Sequence, residues 1–209
     1  MPLASATPLM CAGITGYPLR HWHAGAGRRV AIIGFGGLGH VGVQIATAMG
    51  ASTTVINNME QQMGDALQTG AAGCRTTKDP RTYDELASSF DLTISTVPAS
   101  FELDIHLNLL AQDGTFVNLG VPEKPLSVEP YSVLANRRSI VGSMSGGIPE
   151  TQDLVDFCAE QRIGARDEMI EASYLDEAFD RLVASGVRYR FVIDASSFAG
   201  ERSRESRPT

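Results

Sequence analysis

The chain has 209 residues, of which 43% are hydrophobic and 20% charged, so it is long enough to bury a core and has the composition of a globular protein. This composition excludes a collagen-like, coiled-coil or wholly disordered chain. The formal net charge is −7, and an acidic surface repels phosphate backbones and anionic membranes. We therefore expect neither nucleic acid nor a membrane as a partner.

The cysteines and the first residues bear on the cellular compartment. Three cysteines, Cys11, Cys74 and Cys158, lie far apart, which argues against a disulfide framework and for a reducing compartment. Met1–Ser5 has no basic region before an apolar stretch, so no signal peptide is predicted. The most apolar stretch, residues 30–51, is interrupted by several glycines, His40 and Gln44 and does not resemble a membrane span. We expect a cytoplasmic protein.

The first recognisable unit begins with a strand predicted at Arg29–Ile33, a β-branched run that ends at a glycine. From Leu38 onward the apolar residues fall at helical spacing, and Gly50 is placed to end that helix. A second β-branched run, Thr53–Ile56, follows at once. The sequence therefore predicts a β-helix-β unit with two parallel strands.

The same alternation continues along the chain. Further strands are predicted at Leu92–Val97, Thr115–Leu119 and Ser139–Gly142, and a helix is predicted at Leu103–Leu110, closed near Gly114. Alternating strands and helices predict an α/β fold with a Rossmann-type, doubly wound parallel sheet. In such a sheet, ligands bind beyond the carboxyl ends of the strands.

The pattern changes after Gly147. Helices are predicted at about 150–161 and 175–185, followed by one alternating strand at 188–194, and this is not another βαβ repeat. The polar last residues predict a disordered tail. The predicted organisation is an opening segment (1–27), a doubly wound domain (28–147), a C-terminal segment (148–196) and a tail (197–209).

A glycine-rich turn connects the first strand to its helix. Gly34–Gly39 fits the pattern G-x-G-x-x-G, in which Gly34 makes the tight turn, Gly36 lets the backbone approach a pyrophosphate and Gly39 permits close helix packing. A turn of this kind without a ligand is the alternative. A helix N-terminus supplies only about 0.3–1 kcal/mol to an anion, whereas micromolar binding needs about 8 kcal/mol. A true site must therefore recruit further contacts.

The end of the second strand leaves the choice of cofactor open. A NAD site usually has an acidic residue there to accept the ribose hydroxyls, but this strand ends at Asn57-Asn58. The missing carboxylate removes a barrier to a 2′-phosphate, yet no nearby Lys or Arg in the sequence replaces it. NADP and NAD both remain possible. A methyltransferase, which normally needs an acid at this point, is disfavoured.

Residues that could bind a metal are few. Cys11, taken by itself, is typical of a small buried residue. His21 and His23 are two residues apart with no acidic or thiolate companion, which indicates a polar loop more than a metal site. His40 is expected to be structural or to line the phosphate turn. Structural roles are also expected for Cys74, Cys158 and His106.

Five motifs carry a resemblance to a known family: Cys11–Thr15, Gly36–His40, Leu119–Pro125, Gly142–Gly147 and Val187–Asp194. In this order and spacing they resemble the medium-chain zinc-dependent alcohol dehydrogenases, and within them the cinnamyl alcohol dehydrogenase and NADP-dependent aldehyde reductase branch. The resemblance extends from about Leu3 to Ser196. It implies hydride transfer between NADP or NAD and a primary alcohol or aldehyde.

The resemblance also implies a set of site residues. The glycine-rich turn would hold the pyrophosphate, with Arg190 near it, and the asparagines after the second strand would face the adenosine ribose. Six residues would surround the nicotinamide: Thr15, Val97, Leu119, Val121, Met144 and Ser145. The implied cofactor-binding residues are Thr15, Gly34, Gly36, Gly37, Leu38, Gly39, Asn57, Asn58, Val97, Leu119, Val121, Met144, Ser145 and Arg190. Cys11 matches the family's third catalytic zinc ligand.

This sequence departs from the family pattern in one large respect. It contains no counterpart of the GroES-like catalytic domain that carries the other zinc ligands and the structural-zinc cysteines. A catalytic zinc usually keeps three protein ligands, so we do not expect this chain alone to hold zinc. Whether Met1 is the true start remains open. The family's adenosine-phosphate lysine is also replaced, near Gln62.

The C-terminal segment would, in the family, pack on the absent catalytic domain. Part of its apolar face is therefore expected to be exposed, favouring a homo-oligomer or association with a full-length relative. The residues concerned are Phe157, Ile170, Leu175, Phe179 and Phe191. Two functions stay open: the cofactor-binding portion of an alcohol dehydrogenase or aldehyde reductase, and a truncated, non-catalytic dinucleotide-binding or interaction module.

Overall fold

A computed structural model describes residues 1–17 and 24–198. The strands in those residues are β1 (Arg29–Ile33), β2 (Ser52–Asn57), β3 (Gly73–Thr76), β4 (Phe90–Ser95), β5 (Leu110–Asn118), β6 (Ser139–Gly142), β7 (Asp167–Ile170) and β8 (Arg190–Ile193). The α-helices are α1 (Leu3–Ala6), α2 (Ala12–Gly16), α3 (Gly39–Ala48), α4 (Met63–Gln68), α5 (Arg81–Glu85), α6 (Leu103–Leu107), α7 (Pro130–Leu134), α8 (Ile148–Gln161) and α9 (Leu175–Val183). None of these helices is long and apolar enough to cross a membrane.

The main sheet has six parallel strands in the order β3-β2-β1-β4-β5-β6. The chain runs outward from β1 to β3 and then crosses to β4 on the other side of β1. This order confirms the predicted doubly wound sheet. The reversal of direction between β1 and β4 opens a crevice at their carboxyl ends, which is where ligands bind in sheets of this type.

Helices cover both faces of the sheet because its central strands are apolar on both sides. Val30 and Ile32 of β1 pack in one buried cluster with α3, whereas Ala31 and Ile33 pack in a second cluster with α6. All four residues are at most 2% exposed. This burial explains the uninterrupted β-branched run from which the strand was predicted.

The helix predicted at Leu103–Leu110 is shorter than expected. Helix α6 ends at Leu107, and Leu110 already belongs to β5. The backbone N–H of Phe90, at the start of β4, donates to the carbonyl of Leu109 at 3.0 Å, so these residues are needed as a sheet partner. Gly114, predicted to close the helix, lies within β5. Sheet pairing outweighs helical spacing here.

The predicted absence of a βαβ unit after Gly147 is wrong. Strands β7 and β8 are parallel and form a second, two-stranded sheet, with α9 between them in the chain. The sequence of β7, Asp-Glu-Met-Ile, is short and half polar, which hid the strand from pattern analysis. Residues 199–209, where most of the predicted tail falls, lie outside the described residues, as do His21 and His23.

The apolar face expected on the C-terminal segment is exposed only in part. Phe179 is 59% exposed, and its neighbours Leu182 and Val183 are 50% and 85% exposed. The expectation is wrong for Ile170, which is 7% exposed because it is the last residue of β7 and is covered by its neighbours. The other three residues expected on this face, Phe157, Leu175 and Phe191, are half-buried.

Helix α8 packs on α2 through Leu154, one of its two fully buried residues. Leu154 is 0% exposed and lies so close to α2 that a Cβ added to Gly13 would be 2.9 Å from its Cδ2. Leu154→Ala leaves a cavity that these backbones cannot fill, and we expect it to lower the free energy of unfolding by about 2–5 kcal/mol. Chemical denaturation measures this loss.

The matched control is Leu182→Ala, which shortens a half-exposed leucine in the same segment. Its expected cost is below about 1 kcal/mol. Equal losses for the two variants would contradict the assignment of Leu154 as the anchor of α8.

Candidate functional site

The glycine-rich turn lies where β1 meets α3, at the switch point of the sheet. Gly34 has a φ of +88°, which an L side chain rarely adopts, and a Cβ at Gly39 would be 2.1 Å from the carbonyl oxygen of Gly34. By contrast, an added Cβ at Gly36 would meet no atom within 4 Å. Two glycines are therefore required by the turn itself, and the third leaves open space above the backbone.

Arg190 of β8 reaches this turn from the C-terminal segment. Its Nε donates to the carbonyl oxygen of Gly37 at 3.2 Å, and a Cβ at Gly37 would be 2.6 Å from the same Nε. The guanidinium group therefore lies directly on the Gly37 backbone. A positive charge is thus held beside the N-terminus of α3, where the helix dipole also favours an anion.

His40, in the first turn of α3, joins the glycine-rich turn to the C-terminal segment. Its Nδ1 is 2.9 Å from the carbonyl oxygen of Gly36, and its Nε2 accepts the backbone N–H of Arg166 at 3.2 Å. Because Nε2 faces a donor, the proton must lie on Nδ1 and the ring must be neutral. Burial lowers the pKa of His40 to about 4, and the charges of Arg190 and Arg166 act in the same direction.

Tyr189 and Asp65 extend this connection, and sequence analysis missed both. The Tyr189 ring stacks on His40 with centroids 4.9 Å apart and meets Phe35 edge-on at 5.3 Å. Its hydroxyl donates to Asp65 Oδ2 at 2.6 Å. A tyrosine between two arginines in Val187–Asp194 was the available signal, but its partner on α4 could not be read from it.

The ends of β4 and β5 complete the crevice beside the turn. Thr96 Oγ1 lies within hydrogen-bond distance of the carbonyl oxygens of Ile33 (3.1 Å) and Gly34 (3.2 Å). A Cβ at Gly120 would be 1.9 Å from the carbonyl oxygen of Val97, so the loop after β5 lies against the loop after β4. The predicted residues Val97, Leu119 and Val121 therefore share one edge of the sheet, and Val121 is 82% exposed.

Thr15 connects α2 to the loop after β6. Its Oγ1 lies 2.7 Å from the carbonyl oxygen of Cys11 and 2.8 Å from that of Met144, and Ser143 Oγ donates to the carbonyl of Thr15 at 3.0 Å. Thr15 is buried, whereas Met144 and Ser145 are exposed. The structure thus brings these predicted nicotinamide residues together at the same edge.

The side chains after β2 differ in accessibility. Asn57 is 6% exposed, and its Nδ2 donates to Gln62 Oε1 at 2.8 Å, while Asn58 is exposed. The unpredicted strand β3 pairs with β2, and the N–H of Thr77 donates to the carbonyl of Asn57 at 3.1 Å. Lys78 therefore follows directly beside the end of β2, although sequence analysis placed no basic residue there.

The one implied metal ligand does not have companions in the described part of the chain. Cys11 is exposed at the start of α2, so the expectation from sequence alone of a buried residue is wrong. Cys74 and Cys158 are buried, and burial raises the pKa of Cys158 to about 11. Within residues 1–17 and 24–198, no three His, Cys, Asp or Glu residues are grouped to hold a metal ion. These residues do not fit a complete zinc site.

A doubly wound parallel sheet with this turn at its switch point defines a Rossmann-type domain. The family model described as zinc-binding dehydrogenase matches residues 37–160, and the chain belongs to that family. This confirms the resemblance inferred from the five motifs.

The relatives and solved structures agree with this assignment. The chain is 53% identical over 198 residues to NADP-dependent alcohol dehydrogenase C 1 of Mycolicibacterium smegmatis, covering 94% of this chain and 57% of that protein. It is 46% identical to aldehyde reductase YahK of Escherichia coli, covering 92% and 56%. It superposes on a cinnamyl alcohol dehydrogenase of Sorghum bicolor with a TM-score of 0.91 at 33% identity, covering 94% and 56%. The chain thus spans just over half the length of these proteins.

The neutral state of His40 predicts a pH dependence of stability. Its folded pKa of about 4 lies below the ordinary value of 6.5, so between these values the unfolded chain binds a proton that the folded chain does not. The stability is fully present above pH 6.5 and is lost as the pH falls towards 4. From this difference we expect a loss of about 3 kcal/mol in the free energy of unfolding.

Denaturation at a series of pH values, compared with His40→Gln, measures this contribution. Burial also lowers the pKa of His106, so His106 contributes to the pH dependence in the same direction. The variant His106→Gln measures that separate contribution. The pH dependence that disappears in His40→Gln belongs to His40. An unchanged slope in that variant would contradict the neutral, buried state of His40.

Proposed function

We propose that this chain is the cofactor-binding part of a zinc-family alcohol dehydrogenase or aldehyde reductase, which transfers hydride between NADP(H) and a primary alcohol or aldehyde. The observation that carries the proposal is the turn at the switch point, open above Gly36 and covered at Gly37 by the Arg190 guanidinium. The named activities of the relatives support the choice of reaction.

The residues of this chain would bind and orient the cofactor. The turn and the N-terminus of α3 would hold the pyrophosphate, with Arg190 neutralising part of its charge. Thr15, Val97, Leu119, Val121, Met144 and Ser145 would line the nicotinamide. The cofactor supplies the hydride, and the protein keeps the ring in place at the edge of the sheet. Cys11 alone does not make a zinc site, because a catalytic zinc usually keeps three protein ligands.

We propose NADP(H) over NAD(H) because no carboxylate ends β2 and a lysine follows the adjacent strand. An acidic residue after β2 would repel a 2′-phosphate. The uncharged side chains of Asn57 and Asn58, which stand there, do not repel it. Lys78 is exposed beside that position. The M. smegmatis relative is named as NADP-dependent, and a Helicobacter pylori structure of 34% identity and TM-score 0.84 is described as a complex with NADP(H).

A non-catalytic dinucleotide-binding or interaction module is the second candidate function. It is favoured by the exposed apolar side chains of α9, which a partner chain or another domain would cover. Dinucleotide binding without turnover, together with a stable complex with a full-length relative, would distinguish it.

We propose that the chain contains a cofactor domain at 28–147 and that residues 148–196 form part of the catalytic domain. The exposed apolar side chains of α9 would then contact the rest of that domain.

Self-association is a further part of the proposal. β6 lies at the edge of the main sheet, and Ile140 on it is 41% exposed. In α7, the helix that precedes β6 in the chain, Tyr131 and Leu134 are more than 70% exposed. An open edge with apolar residues favours a homo-oligomer.

The three unpaired cysteines fit a reducing compartment, and we propose a cytoplasmic location.

The first test of this function uses the open space above Gly36. Gly36→Ala meets no protein atom, but its methyl group occupies the surface that a pyrophosphate must approach. We expect wild-type protein to bind NADPH in a calorimetric titration and Gly36→Ala to bind at least about 10-fold more weakly, with an unchanged melting temperature. Gly64→Ala, equally open but on α4, is the control and should bind normally. Absence of NADPH binding by the wild type at millimolar concentration would overturn the proposed function.

The second test concerns the choice between NADP(H) and NAD(H). Lys78→Gln removes the positive charge beside the end of β2, and we expect it to weaken NADPH binding about three- to tenfold because one charged contact to the 2′-phosphate is lost. NADH, which has no such phosphate, should bind as before. Arg81→Gln, a nearby cation already paired with Asp79, is the control. Equal weakening of both cofactors would contradict a specific role for Lys78.

A further inference from the structure

The segment Arg188–Arg190 contacts two separate elements, the glycine-rich turn and helix α4. The role that we assign to this segment rests on the proposed function. Tyr189 is 3% exposed and packs between Phe35 and His40, which belong to the phosphate turn and the first turn of α3. Its hydroxyl group reaches in another direction, to Asp65 on α4, the helix that follows the predicted ribose site. One side chain thus connects the glycine-rich turn to α4.

Asp65 is the shared acidic partner of Tyr189, Arg188 and Arg166. Its carboxylate accepts the Tyr189 hydroxyl at 2.6 Å and pairs with Arg188 at 2.8 Å and with Arg166 at 3.3 Å. The hydrogen bond from Tyr189, and then those from the arginines, lower the pKa of Asp65 despite its partial burial. The carboxylate is therefore ionised at neutral pH, which makes the hydrogen bond from Tyr189 a charge-assisted one.

The backbone of Arg166 closes the connection. Its N–H donates to His40 Nε2 at 3.2 Å, and its carbonyl accepts the N–H of Tyr189 at 3.1 Å. His40, Arg166 and Tyr189 therefore form a closed set of contacts, since the rings of the first and last also stack. The start of β8 is fixed relative to the turn by these interactions, and the Tyr189 hydroxyl extends them to α4.

Arg190 is the next residue along β8. Asp65 pairs with both Arg188 and Arg166, whereas no ion pair is found for Arg190 in residues 1–17 and 24–198. Its guanidinium is held by the Gly37 carbonyl, and its remaining N–H groups are free of acidic partners in that part of the chain. The charge available to a phosphate at this turn is therefore that of Arg190.

We propose that Tyr189 and Asp65 are positioning residues for cofactor binding. They fix the beginning of β8 against α4 and the phosphate turn, and thereby hold the Arg190 guanidinium on Gly37, where it meets the pyrophosphate. Neither side chain contacts the cofactor itself. The consequence is that their contribution to affinity passes through Arg190 and is confined to ligands that carry a pyrophosphate.

The experiment is a double-mutant cycle by isothermal titration with the full chain. Tyr189→Phe keeps both ring contacts and removes only the hydroxyl, and we expect it to weaken NADPH about 10-fold. Binding of adenosine 2′-phosphate, which has no pyrophosphate, should change less than about twofold. In an Arg190→Gln background, adding Tyr189→Phe should cost less than about twofold, because the group it positions is absent.

Tyr174→Phe is the matched control: it removes a hydroxyl from the same segment, where Tyr174 contacts Arg181 instead of Asp65, and it should not affect either ligand. Asp65→Asn is the second variant if Tyr189→Phe does not fold, and it should show the same non-additivity with Arg190→Gln. Full additivity of the two changes, or equal weakening of both ligands, would overturn the positioning role. Wild-type protein that binds NADPH while Tyr189→Phe binds it equally well would overturn this inference alone and leave the proposed function intact.

Discussion

The site depends on the close approach of two backbones at the glycine-rich turn. The carbonyl oxygen of Gly34 lies very close to Gly39, the first residue of α3, so a methyl group on Gly39 would force the two backbones apart. This contact aims the N-terminus of α3 at the crevice between β1 and β4. Thr96, which hydrogen-bonds to the same turn, joins it to β4. The direction of the helix dipole and the open surface above Gly36 both follow from that one approach.

Electrostatics at the turn are arranged by pairing some charges and leaving one unpaired. Three arginines come from the C-terminal segment, and a single carboxylate on α4 forms ion pairs with two of them. His40, which lies between these groups, is kept neutral by burial and by accepting a backbone N–H. A charged imidazole there would be repelled by both Arg166 and Arg190. The neutral ring therefore lets the segment pack on the turn while Arg190 keeps its charge for a ligand.

The sequence predicted those elements whose signal is local. The run Arg29–Ile33, the glycines after it and the helical spacing from Leu38 correctly predicted β1, the turn and α3, because burial on both faces demands β-branched residues. β7 was missed because it is short and half polar and is stabilised only by pairing with β8. The shortened α6 shows the opposite case, in which helical spacing yields to a sheet partner at Leu109.

The candidate site also contains some residues that the sequence predicted and others that it did not. The turn and its glycines could be predicted from spacing, and Arg190 from resemblance. The partners of Tyr189 could not, because Asp65 is 124 residues away in the chain and no periodicity relates the two positions. Lys78 was missed because its place depends on β3, an edge strand of four residues with little apolar character. Contacts between distant segments are decided by topology, which a linear pattern does not contain.

The distance in sequence between Arg190 and Gly37 has a consequence for how the protein is made. These residues are 153 positions apart, so almost the whole chain must leave the ribosome before the guanidinium can reach the turn. The six-stranded sheet can assemble earlier from its own strands, whereas the contact between Arg190 and the glycine-rich turn forms last. During synthesis there is therefore a period in which the sheet can already be ordered although the Arg190 guanidinium has not yet reached the turn.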